Sequence, residues 1–101
     1  MQSEAVGLLE VYGLVTAFAA ADAACKAANV TIEAFDRNRP ANADAEIPLI
    51  MLVKLRGGIA DVRAALDAGE AAANQIGGVI LRHMIAKLEE GSELVLGISA
   101  L

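Results

Sequence analysis

Two alanine-rich stretches of helical period, each entered from a strand-like run across glycine, constrain this chain most. In residues 14–28 the apolar positions Leu14, Phe18, Ala21, Cys25 and Ala28 recur at helical spacing, and Asp22 stands four residues before Lys26 in the acid-first order that supports a helix. In the second stretch Ile59, Val62, Leu66, Gly69, Ala73 and Ile76 follow at intervals of 3, 4, 3, 4 and 3, until Gly77-Gly78 stops the pattern. Strand-like runs flank both helices. Residues 5–12 end at Gly13, residues 31–35 alternate after Asn29, and residues 79–85 follow the second helix. Residues 49–53 form a continuous apolar run after Pro48 and lead through Lys54-Leu55-Arg56 to Gly57-Gly58, the pattern of a strand buried on both faces. The order is β-α-β, loop, β-α-β and a tail, which predicts an α+β, ferredoxin-like sandwich.

At 101 residues the chain has room for one domain. Its apolar fraction of 56% overstates the core, because 22 residues are alanine and only three are aromatic. At about 25 cal/mol per Å² of buried apolar surface, methyl groups stabilise a lone small domain weakly, so association between copies is expected to supply the rest. Eight Lys and Arg against thirteen Asp and Glu give a net charge of −5 with no basic run, which argues against a nucleic-acid partner. Residues 11–21, the longest uncharged stretch near the start, are too few to span a bilayer, and no basic segment with a cleavage site precedes them, so no membrane partner and a cytoplasmic location are expected. A single cysteine offers neither an internal disulfide nor metal-ligand spacing.

Catalysis finds little support in the residue pattern. The one histidine, His83, lies in a strand with no base-orienting partner in view, and packing is its expected role. Cys25 falls on the first helix's apolar stripe and is expected to be a small buried hydrophobe. Gly57-Gly58 before a helix resembles a phosphate cradle, but the lysine and hydroxyl of a P-loop are missing. No catalytic residue, metal ligand or cofactor site is assigned. Residues 37–46 contain two Asn, Pro40 and Asp44 and no large apolar side chain, so an exposed loop of functional length is expected there.

The stretch 4–13, then Ala21-Asp22-Ala23-Ala24-Cys25-Lys26-Ala27-Ala28-Asn29-Val30, then Arg56-Gly57-Gly58 with Val62, Asp67-Ala68-Gly69 and Gly77, resembles a bacterial microcompartment shell protein with a single BMC domain. The resemblance covers about residues 4–88 and leaves 89–101 as a tail. It implies the BMC variant of the ferredoxin-like fold and a non-enzymatic role. It further implies cyclic homohexamers that tile with one another and with other shell proteins around enclosed enzymes in the bacterial cytoplasm, with an axial pore for small metabolites. By that resemblance Lys26 and Asn29 lie at the hexamer edge, and Lys87 takes the place of an edge arginine, keeping its charge without the planar fork. The extended loop falls at the pore position, so Asn38, Arg39, Pro40, Ala41, Asn42, Ala43 and Asp44 are the pore-loop candidates; six charges of one sign near an axis would select ions. The alternative is a ferredoxin-like regulatory module whose long loop closes over a small effector.

Overall fold

The computed structural model describes residues 4–37 and 49–87. Along the chain lie β1 (Glu4–Tyr12), α1 (Leu14–Ala27), β2 (Val30–Arg37), β3 (Ile50–Gly58), α2 (Ile59–Asn74) and β4 (Val79–Lys87). The strands form one sheet in the order β2-β3-β1-β4, and every neighbouring pair is antiparallel. β1 and β2, joined through α1, therefore run the same way with β3 between them. This is the split β-α-β arrangement of the expected α+β, ferredoxin-like fold.

Strand alternation and the helix stripe decide where the core sits. Ala5, Leu9 and Val11 of β1 join Met51, Val53 and Leu55 of β3 beneath the helices. From α2 come Val62, Ala65, Leu66 and Ala73, with Gly69 on the same buried stripe, so the spacing marks the inner face as far as Ala73; Ile76, expected to continue it, lies beyond the helix end at Asn74 and is exposed. The entry to α1 depends on Gly13. Its φ of +93°, a region that favours glycine, lets its N–H reach the Leu49 carbonyl at 2.6 Å while the chain turns from strand to helix.

Three expectations fail for related reasons. The buried face of α1 is Thr16, Ala17, Ala20, Ala21 and Ala24, not the Leu14, Phe18, Cys25 stripe, and Cys25 is exposed. The helices approach so closely that a Cβ on Gly69 would lie 3.2 Å from the Ala20 carbonyl oxygen. Only the smallest side chains fit such a contact, so the larger ones turn outward. β3, expected to be covered on both faces, instead alternates between buried residues and half-buried Ile50, Leu52 and Lys54. Both helices pack on one side of the sheet, which leaves the other side open. His83 lies opposite Leu8 on that open side and is exposed, contrary to the packing role expected of it.

Arg82 ties β4 to α2, with Nη1 2.8 Å from Asp67 Oδ1 and 3.0 Å from Glu70 Oε1. Burial against the helix disfavours its charge, but hydrogen bonds to Asp67 and Glu70 and their negative charge prevail and hold the guanidinium above its ordinary pKa. Because Asp67 is largely exposed, each pair contributes within the ordinary surface range of about 0–1 kcal/mol. Arg82→Met is expected to lower stability by about 1 kcal/mol in urea unfolding, with the difference shrinking at high salt.

Candidate functional site

The topology sorts chemistry to the two ends of the sheet. At one end Glu4 pairs with both Gly58 and Lys87, and Val30 pairs with Gly57. The last turn of α1 and the first turn of α2 lie at this same end. Lys26 is exposed here, with Nζ 2.9 Å from Asp22 Oδ2, and this hydrogen bond and the carboxylate's charge raise its pKa. Asn29 follows α1 directly, and its backbone N–H donates to Asp61 Oδ1 at 3.4 Å. Glu4, Asn29, Thr31, Arg56, Ile59 and Asp61 frame a shallow open pocket beside it.

Gly57 is not part of an anion cradle. A Cβ there would lie 2.9 Å from the Asn29 carbonyl oxygen, so the missing side chain makes room for the start of β2 rather than for a phosphate. The three edge candidates share this end without meeting. Lys26 and Asn29 stand at the β2 corner, whereas Lys87 ends β4, three interstrand spacings or about 14 Å away.

At the opposite end β1 and β2 finish and β3, α1 and β4 begin. Arg37 pairs with Met51 there, so the connection carrying the pore-loop candidates departs from this end. Residues 38–44 themselves lie outside the described residues. Large exposed hydrophobics gather at this end beside exposed Asp36, Arg37, Asn74 and Gln75: Tyr12, Leu14, Val15, Phe18, Phe35, Ile76, Ile80 and Leu81 are those of the described chain. Sequence reasoning missed this cluster, because periodicity assigns Leu14 and Phe18 to a core they do not enter. Among the described residues no group of three or more His, Cys, Asp or Glu could hold a metal, and no helix is long and apolar enough to cross a membrane.

The BMC domain model matches residues 5–88. The chain belongs to the BMC-domain family. It is 42% identical over 93 residues to the bacterial microcompartment shell protein EutK of Salmonella typhimurium strain LT2, covering 92% of this chain and 52% of that protein. It is 38% identical over 96 residues to the shell protein PduA of Citrobacter freundii, covering 95% of each. Among solved structures, a microcompartments protein from Desulfitobacterium hafniense DCB superposes with a TM-score of 0.64 at 27% identity, over 81% of this chain and 40% of that one. The chain thus spans about half of EutK and nearly all of PduA. As a BMC domain it is a structural, non-enzymatic component of a bacterial microcompartment shell.

Proposed function

We propose that this chain forms cyclic hexamers that tile edge to edge in the shell of a bacterial microcompartment in the cytoplasm, with an axial pore through which small metabolites reach enclosed enzymes. The observation that carries this reading is the opposite placement of the two ends. The loop carrying Asn38, Arg39, Pro40, Ala41, Asn42, Ala43 and Asp44 departs from the apolar end, whereas Lys26, Asn29 and the last residue of β4, Lys87, share the polar end. A wedge of this kind, placed with its apolar end inward, brings six loops to one axis and presents lysines at the rim.

Exposed Lys26 supplies a long aliphatic stem that can lie along a neighbouring tile while its ammonium donates to carbonyl oxygens there. Lys87 contributes a point charge where a guanidinium would grip in two places. Electron microscopy of the purified chain is expected to reveal sheets or tubes of hexamers. Lys26→Ala is expected to keep the hexamers, by analytical ultracentrifugation, and to lose the sheets. Unchanged sheets would remove Lys26 from the rim, and a wild-type chain that stays monomeric at every concentration would overturn the hexamer.

A further inference from the structure

We propose that residues 93–101 add a fifth, antiparallel strand to β4 and so close the apolar edge of the sheet against pairing with other chains. The proposal goes beyond the shell reading and does not depend on it.

Within the described residues the sheet ends at β2 on one side and at β4 on the other, and the two edges are unlike. β2 protects itself with exposed Glu33, Asp36 and Arg37 and with a bulge between Ile32 and Ala34, devices that keep an edge from templating another strand. β4 lacks this defence. Most of its nine residues are apolar, its bulge at Ile80 leaves 81–87 in regular register, and Arg82 is drawn onto α2 by Asp67 and Glu70. The core is uncovered here as well. Met84 and Ala86 stand opposite Gly7 and Ala5 on the helix side of the sheet, yet Met84 is only half-buried and Ala86 is exposed.

The occupant that fits is the chain's own continuation. Residues 88–101, which lie outside the described residues, follow directly on Lys87. In them Leu94, Leu96, Ile98 and Ala100 alternate with Val95, Gly97 and Ser99, the period of a strand. Residues 88–92, with Gly91, suit a five-residue hairpin connection. That connection sets Glu93 opposite Lys87, acid against base, and Leu94 and Leu96 opposite Ala86 and Met84, where the core lacks cover. Gly97 and Ser99 then fall opposite His83 and Leu81 on the open side. A slip of one residue would carry the leucines to the open side and Glu93 to the core side, so the pattern specifies the register. A short tether also gives this segment a higher effective concentration at the edge than any second copy has.

Two full-length variants in a Cys25→Ser background test the register, with circular dichroism to verify folding. One carries Ala86→Cys with Leu94→Cys, directly opposite in the proposed pairing; the other carries Ala86→Cys with Val95→Cys, whose Cβ atoms point to opposite faces and cannot be bridged. After mild oxidation, denaturing non-reducing electrophoresis is expected to show the first pair closed within one chain, running ahead of its reduced form, and the second still reduced. Links between chains would give the edge to a second copy, and equal linking of both pairs or of neither would take the segment off β4; each result overturns the proposal. In the otherwise native chain, Leu96→Pro removes a strand position and is expected to lose amide-exchange protection along β4 while β2 is unchanged. Unchanged protection of β4 would likewise overturn it.

Discussion

Gly7→Val is expected to cost the protomer about 3 kcal/mol, the upper part of the range for overpacking a well-filled core. A Cβ at position 7 would lie 2.8 Å from Leu55 Cδ1, 2.9 Å from Val62 Cγ1 and 3.2 Å from Leu66 Cδ1. Any one of these methyl groups could move aside. All three cannot, because Leu55, Val62 and Leu66 are among the fully buried side chains and give way only into one another. Valine adds two further methyls to the same space. A domain of this size has about 5–15 kcal/mol in total, so the loss is a large share of it. Thermal unfolding should fall by about 12–24 °C, at roughly 4–8 °C per kcal/mol for a small domain. An unchanged unfolding temperature would mean that α2 does not press on β1 at this point.

Leu66→Ala is expected to cost about 2–5 kcal/mol by the opposite mechanism, a cavity. Leu66 is 1% exposed and occupies the centre of the α2 stripe over β1. In a chain whose other helix buries only Thr and Ala, no neighbouring long side chain on α1 can swing in to fill the void. The two sites touch, so their effects should not add. Gly7→Ala combined with Leu66→Ala is expected to be less destabilising than the sum of the single changes, because the new methyl occupies space the leucine vacates. A double-mutant cycle in urea measures this coupling, and strict additivity would show that the two positions do not share a packing site.

The element order and the inner face of α2 were legible in the sequence, because glycines mark the turns and Val62 and Leu66 are large enough to betray the stripe on which they lie. α1 was misread for the converse reason. When the contact is built from alanine, hydrophobic size marks the outside of the helix, and Leu14 and Phe18 sit where periodicity alone would bury them. The apolar run of β3 is legible, but its second face stays half-buried because both helices pack on the other side of the sheet, a distinction a single sequence does not encode. Lys26, Asn29 and Lys87 carried no pattern of their own beyond an acid–base pair. The family motif singled them out, and the fold placed all three at one end, on two corners of the sheet.

The close crossing of Ala20 with Gly69 has a consequence beyond the single protomer. It fixes how closely α1 and α2 lie side by side on the sheet, and so contributes to the width each protomer takes up in whatever wall these protomers build. Ala20→Val widens that crossing, so its helices would stand farther apart than those of its neighbours, and a ring of mixed parentage would misfit at its junctions. The tolerance for drift at these alanines is therefore set by the copies alongside. Chains that share a wall must share this spacing, whatever else about them diverges.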